Sequence, residues 1–114
     1  MNLDREMSRY LVIDEESIRN SLKKIDRNDE GIAVCVDASG ILLGVLTDGD
    51  IRRWMIAEKS PDLDQPVSQV INRNFVSARI TDDAARIADR FGQNVHVIPL
   101  TDSDGRCVAI ARPR

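Results

Sequence analysis

The chain carries an internal repeat: the segment around Gly40 recurs 65 residues later, around Gly105. In both copies an apolar run is followed by a polar turn and then by a second apolar run. Aligning the two glycines also places Asp37 on Asp102, at the start of each turn. An offset of this size indicates a whole supersecondary unit rather than one turn of a solenoid. We therefore expect two copies of one unit, packed as a single pseudo-twofold domain.

The first copy begins with a helical pattern and continues into a hairpin. Ile18, Leu22 and Ile25 recur at helical spacing behind three acidic residues, which predicts a helix with one buried face. The runs IAVCV (32–36) and ILLGVL (41–46) flank the turn DASG, which is typical of a connection between two strands. They predict a buried β-hairpin.

A second helix is expected after this hairpin. Asp48 lies where a helix N-cap is needed, and the apolar residues that follow it fall on one face: Ile51, Trp54 and Met55. The pattern ends near Lys59, before the segment SPDLDQP, whose prolines are typical of a linker. Repeat one is thus expected to cover residues 10 to 60, and the linker residues 60 to 72.

The second copy shows the same order of patterns. Residues 84 to 91 have helical periodicity, and the runs VHVIPL (95–100) and CVAIA (107–111) predict a second hairpin. Repeat two covers about residues 73–114 and is expected to be truncated, because Arg114 aligns with Gly49 and no closing helix follows. The fold class is α/β, with two β-α-β-β-α-type repeats. The shared core is expected to contain Ile32, Val34, Leu43, Val45, Val97 and Ile98.

Composition argues against several classes of function. Hydrophobic residues make up 42% of the 114 residues and charged residues 31%, which is typical of a globular domain. A net charge of −3 without a basic block argues against nucleic-acid binding. No apolar run has the length of a membrane helix, so we expect a cytoplasmic protein without membrane contact. Cys35 and Cys107 lie in apolar runs, so we expect buried thiols and no disulfide.

The stretch GVLTDGDIRR (44–53) concentrates polar chemistry at one corner, where a strand ends and a helix begins. Gly44 permits the close approach of a ligand or of another backbone. Thr47 presents a hydroxyl, and Asp50 lies in the first turn of the helix, where amide groups and the helix dipole favour an anion. A carboxylate at this place can also accept hydrogen bonds from a ribose diol. The corner is therefore suited to a nucleotide, and a plain helix cap is the alternative interpretation.

The chain resembles a tandem pair of cystathionine-beta-synthase (CBS) domains. The usual signature of that family is a glycine, two apolar or variable residues, a threonine or serine, two further residues and an aspartate. Gly44, Val45, Leu46, Thr47 and Asp50 match it in full. The likeness covers nearly the whole chain. The segments TDGDIRR and VINRNFVS are most similar to the CBS pairs fused to sugar nucleotidyltransferases.

This resemblance implies a set of ligand-binding residues. In the family, the threonine and aspartate of the signature hold the ribose and phosphate side of an adenine nucleotide, here AMP, ADP or ATP. The candidate residues are Thr47, Asp50, Gly44, Arg53 and His96. In the second copy Ala109 and Arg112 stand in place of the signature glycine and threonine, so at most one ordinary nucleotide site is expected.

The resemblance also implies a function. We expect a regulatory, nucleotide-sensing module without catalytic or metal-binding residues, which controls a partner or fused enzyme of nucleotide-sugar metabolism. A nucleotidyltransferase is the expected partner. CBS pairs of this type expose helices, so a symmetric homodimer through those helices is expected. The alternative is an assembly module that dimerises or docks and binds no small molecule.

Overall fold

In the part of the chain that the structure describes, the strands form two sheets, each belonging mainly to one repeat. The computed structural model describes residues 1–113, and the position of Arg114, which we aligned with Gly49, lies outside them. The strands are β1 (Asn2–Asp4), β2 (Leu11–Ile13), β3 (Ile32–Val36), β4 (Leu42–Thr47), β5 (Ala78–Arg79), β6 (Ile98–Thr101) and β7 (Cys107–Arg112). The helices are α1 (Ile18–Asn28), α2 (Asp48–Ala57) and α3 (Ala84–Ala88).

The two sheets are connected in the same way. In the first, β2 runs parallel to β3, which forms a hairpin with β4; in the second, β5 runs parallel to β6, which forms a hairpin with β7. The second strands of the two hairpins, β4 and β7, are 65 residues apart at both ends. The predicted α/β fold of two repeats is confirmed.

The leader of each repeat joins the sheet of the other repeat. Strand β1 pairs antiparallel with β7, and Asp4 lies opposite Ile110. The equivalent contact in the other sheet is a bridge between Asn72 and Val45, in which each backbone amide donates to the partner's carbonyl. No sequence pattern predicted strand β1, which forms because the exposed edge of β7 supplies backbone partners for it.

The two hairpin turns are equivalent down to single hydrogen bonds. The Oδ1 atom of Asp37 accepts from the amides of Ser39 and Ile41, and the Oδ1 atom of Asp102 accepts from those of Asp104 and Arg106. The glycine of each turn has a positive φ, which glycine adopts without steric cost. The DASG and TDSDG segments thus form the predicted turns.

Helix α1 follows the predicted pattern, with Ile18 and Ile25 buried along one face. The Ser17 hydroxyl caps it by accepting from the amide of Asn20 at 3.1 Å. The predicted helix from 84 to 91 is too long, because α3 ends at Ala88. A tight turn follows, in which Gly92 and Val95 form a two-way backbone bridge. Because of this turn, β6 begins at Ile98, although the sequence predicted that the strand begins at Val95.

Within residues 1–113, the core consists of three clusters rather than the single shared one expected. Ile32, Val34 and Val45 pack between the sheets together with Val97, as predicted. Leu43 instead packs beside α1 and α2, and Ile98 beside α3. Successive side chains of a strand point to opposite faces of the sheet, so neighbours in sequence belong to different clusters. Among the described residues, none of the helices is long and apolar enough to cross a membrane.

Candidate functional site

The corner between β4 and α2 is built on a capping box. The hydroxyl of Thr47 accepts from the amide of Asp50 at 3.2 Å. In return, the Asp50 carboxylate accepts from the amide of Thr47 at 3.1 Å and from its hydroxyl at 3.0 Å. This reciprocal arrangement satisfies backbone donors at the start of the helix. Thr47 is therefore the N-cap, and the predicted assignment of that role to Asp48 is wrong, because Asp48 is the first residue inside α2.

The second oxygen of the Asp50 carboxylate holds Arg53. The Nη2 atom of Arg53 donates to Oδ1 of Asp50 at 2.9 Å, one turn along the helix. The side chain of Asp50 is 16% exposed and that of Arg53 is 72% exposed. Exposed ion pairs contribute little free energy, so the guanidinium can leave Asp50 at small cost. One oxygen of Asp50 is thus fixed by the fold, while the other is held by an exchangeable partner.

A cleft of about 710 Å³ opens beside this corner, between the two repeats. Four of the five predicted site residues line it. Thr47, Asp50 and Arg53 lie on the side of repeat one, whereas His96 belongs to repeat two and is exposed. Apolar side chains complete the lining from both repeats: Ile32, Val45, Phe75, Val76, Val95, Val97 and Pro99.

Gly44 does not line the cleft, although it belongs to the same motif. A side-chain carbon at this position would lie 2.7 Å from the carbonyl oxygen of Asn72, which bridges the neighbouring Val45. A glycine here could permit the close approach of a ligand or of another backbone, and the structure shows the second. In the corresponding place of β7, Ala109 is fully buried.

Several polar residues of the cleft were missed by sequence reasoning. Asn72 and Asn74 come from the segment that enters repeat two, and Gln93 and Asn94 come from the turn after α3. None of them belongs to a periodic pattern, because all four lie in loops. The amide of Asn74 donates to the side chain of Asn72 at 2.9 Å, so an Asn-x-Asn turn was the available signal.

The charges around the cleft nearly balance. Glu30, Asp48 and Asp50 face two arginines, Arg52 and Arg53, on the lining. Glu30 is also paired with Arg112, which lies outside the lining, at 2.5 Å. The cleft therefore has both carboxylates for hydroxyl groups and guanidinium groups for an anionic ligand.

Two other kinds of site were considered in the described part of the chain. Within residues 1–113, no group of three or more histidine, cysteine, aspartate or glutamate side chains is arranged to hold a metal ion. Cys35 and Cys107 are buried free thiols, and burial raises the pKa of each to about 11. Such thiols are poor nucleophiles near neutral pH, because the reactive form is the thiolate.

Comparison with protein families and known proteins gives a consistent result. The family model described as CBS domain matches residues 5–57 and again residues 67–113. The chain is 24% identical over 91 residues to arabinose 5-phosphate isomerase GutQ of Salmonella typhi. That alignment covers 79% of this chain and 28% of the relative, so the chain spans less than a third of the relative's length.

Solved structures share the fold at low sequence identity. Protein MJ1004 of Methanocaldococcus jannaschii has a TM-score of 0.80 at 18% identity, over 96% of this chain and 52% of that one. The CBS domain pair of protein MJ0100 has a TM-score of 0.73 at 21% identity, over 90% of this chain and 83% of that one. The latter structure is a complex with 5-methylthioadenosine and S-adenosyl-L-methionine.

Proposed function

Since the chain belongs to the CBS domain family, we propose that it is a regulatory module that binds an adenine nucleotide in the cleft between its repeats. A CBS domain pair is a regulatory rather than a catalytic module. The observation that carries the proposal is the cleft of about 710 Å³ that Thr47, Asp50 and His96 line together. This volume is within the range of sites for small organic ligands.

The shape and polarity of the cleft fit a nucleoside. Its apolar lining, which includes Phe75, Val97 and Pro99, offers contact to the faces of a flat base. Asn74 and Asn94 lie on the same lining, and their amide groups both donate and accept hydrogen bonds at a base edge. His96 is a further candidate for contact with the ligand.

The ribose and phosphate groups then lie at the corner between β4 and α2. Oδ1 of Asp50 accepts from a ribose hydroxyl once Arg53 turns away, while Oδ2 remains in the capping box. The released guanidinium is placed to pair with a phosphate, as is that of Arg52. In this mode of binding, Gly44 contributes through the backbone packing of the corner rather than by ligand contact.

The related complex with 5-methylthioadenosine and S-adenosyl-L-methionine supports an adenosine-containing ligand. Among such ligands we propose AMP, ADP or ATP. The match to a sugar-phosphate isomerase supports a regulated enzyme that acts on phosphorylated sugars. A nucleotidyltransferase of nucleotide-sugar metabolism remains our proposed partner, on the likeness of the TDGDIRR and VINRNFVS segments.

A second candidate function is assembly without a small ligand. Two apolar side chains of α2 are exposed, Met55 by 45% and Ile56 by 79%. The capping box also gives Thr47 and Asp50 a structural reason to be present without any ligand. A homodimer through α2 is compatible with both candidate functions, so ligand binding is the property that separates them.

The test is calorimetric titration of AMP, ADP and ATP into the wild type and the variant Asp50→Glu. Glutamate is the usual residue at this place of a capping box, so the variant keeps the cap. The displaced carboxylate should weaken binding about tenfold, within the range expected for a charged hydrogen bond. Asp50→Ala should lose both the ligand contact and its part of the capping box. The loss of the cap should lower the free energy of unfolding by about 1 kcal/mol.

Thr47→Ser serves as the matched control, since it retains the hydroxyl, and it should keep both affinity and stability. The proposal is contradicted if the wild type binds none of the three nucleotides at millimolar concentration. If, in addition, Asp50→Ala affects only the melting temperature, the assembly function is supported.

A further inference from the structure

The side chain of Arg53 occupies the carboxylate oxygen that we assign to a ribose hydroxyl. Nη2 of Arg53 donates to Oδ1 of Asp50 at 2.9 Å, whereas Oδ2 of Asp50 accepts both bonds from Thr47. Within residues 1–113, this is the one hydrogen bond that the Arg53 side chain makes. A ribose diol that binds Oδ1 therefore competes with the guanidinium for the same oxygen.

The guanidinium of Arg53 also lies across the start of α2, over Gly49. A side-chain carbon at residue 49 would lie 3.2 Å from Nη1, 3.4 Å from Nη2 and 3.6 Å from Cζ of Arg53. Glycine thus leaves space for the flat group. The first turn of a helix carries a partial positive charge, which repels a cation and attracts an anion. Arg53 therefore covers a place that suits a phosphate better than it suits a guanidinium.

Displacement of Arg53 has different consequences for neutral and for phosphorylated ligands. With a neutral nucleoside, Asp50 exchanges a charged donor for a neutral hydroxyl, and the guanidinium is left without a carboxylate. A nucleotide instead brings its own anion, with which the displaced guanidinium can pair. The Arg53 side chain is 72% exposed, so it is free to turn from one partner to the other.

We infer that Arg53 is a specificity-determining residue of the cleft: its exchange between Asp50 and the ligand selects phosphorylated nucleosides over neutral ones. A phosphate compensates for the broken pair with Asp50, and a neutral nucleoside does not. The inference rests on the proposed function and deepens it, because it defines the ligand class by charge and assigns the selectivity to one side chain.

The experiment is calorimetric titration of AMP and of adenosine, at one pH, into the wild type and Arg53→Ala. The variant should bind adenosine about threefold to fivefold more tightly than the wild type, because an exposed ion pair no longer competes with the ribose. It should bind AMP about tenfold more weakly, because a charged hydrogen bond to the phosphate is lost.

Arg19→Ala is the matched control for these titrations. It also removes one positive charge and one exposed ion pair, that with Asp64, but Arg19 does not line the cleft. This variant should change neither affinity. Should Arg53→Ala fail to fold, Arg53→Met, which keeps an aliphatic stem without the charge, replaces it with the same expected results.

The opposite signs for the two ligands are the decisive result, since a merely structural role of Arg53 would weaken both together. The inference is overturned if Arg53→Ala binds adenosine no more tightly than the wild type does. In that case AMP binding by the wild type would still support the proposed function. If the wild type binds neither AMP nor adenosine at millimolar concentration, the proposed function fails and the inference fails with it.

Discussion

Within the corner GVLTDGDIRR, the residues of one motif have different physical reasons for their positions. Asp50 and Thr47 hold each other in the capping box and also line the cleft. Gly44 is buried beneath the Asn72 backbone and does not line the cleft. A signature match therefore does not by itself distinguish a ligand contact from a backbone contact. Substitution of a residue that makes a backbone contact should lower the free energy of unfolding, which can be measured without any ligand.

Gly44→Ala should destabilise the fold by about 1 to 3 kcal/mol, because the new methyl group would lie 2.7 Å from the Asn72 carbonyl oxygen. Gly92→Ala is the matched control, since apart from its chain neighbours no atom of residues 1–113 lies within 4 Å of a side-chain carbon there. Urea denaturation of both variants gives the comparison. Equal stability of the two variants would show that the linker backbone yields to the methyl group at little cost.

At the scale of elements, the sequence predicted what depends on local patterns. The α1 stripe, both hairpins and their aspartate-glycine turns were predicted correctly, because their periodicities and turn residues act locally. The end of α3 and the strand β1 were not predicted. The first depends on a turn between Gly92 and Val95, and the second on the free edge of β7, which is 106 or more residues away in the chain.

The same limit applies to the candidate site. The signature identified Thr47 and Asp50 through their spacing, and the family likeness added His96. The asparagines at 72, 74 and 94 were missed, since only the packing of one repeat against the other brings these loops to the cleft. The N-cap was assigned to Asp48 because Thr47 also fitted the strand pattern.

The Asp4 carboxylate links the short strand β1 to the rest of the fold through hydrogen bonds from Tyr10 and Arg9. The hydrogen bond from Tyr10, followed by the Glu6 amide and by Arg9 and Arg112, lowers the pKa of Asp4 in the folded state. The stabilisation is therefore present above the unfolded pKa of about 3.9 and is lost as the pH falls. Asp4→Asn should cost about 1 to 2 kcal/mol at pH 7, and this difference should shrink at pH 3.

Asp64→Asn is the control for that comparison, because the pair of Asp64 with Arg19 is well exposed on both sides. It should change the free energy of unfolding by less than about 0.5 kcal/mol at either pH. Urea titrations at the two pH values measure both variants. If Asp4→Asn loses the same free energy of unfolding at both pH values, the charge of the Asp4 carboxylate does not stabilise β1.

At the scale of the whole molecule, the exposed apolar surface of α2 bears on assembly. Ile56 is 79% exposed and Met55 45% exposed, on the same helix. A closed twofold dimer buries such a patch on both copies at once. If the expected homodimer forms through α2, Ile56→Glu should raise its dissociation constant by roughly tenfold or more, since each copy would bury a charge.

Ile13→Glu is the matched variant, because Ile13 is 44% exposed on β2, at the edge of the first sheet. It should leave the dimer unchanged in sedimentation equilibrium. Dissociation by Ile13→Glu but not by Ile56→Glu would place the interface on a strand edge. A wild type that is monomeric at high micromolar concentration would exclude the homodimer altogether.

The pairing of β1 with β7 also determines how the module responds to a pulling force. Asn2 lies opposite Arg112 in one antiparallel ladder, so the backbone at these two residues is about 5 Å apart. Tension applied between them loads the hydrogen bonds one after another from that end, as in unzipping. Strand β1 should therefore peel away at low force, while the two hairpins stay folded.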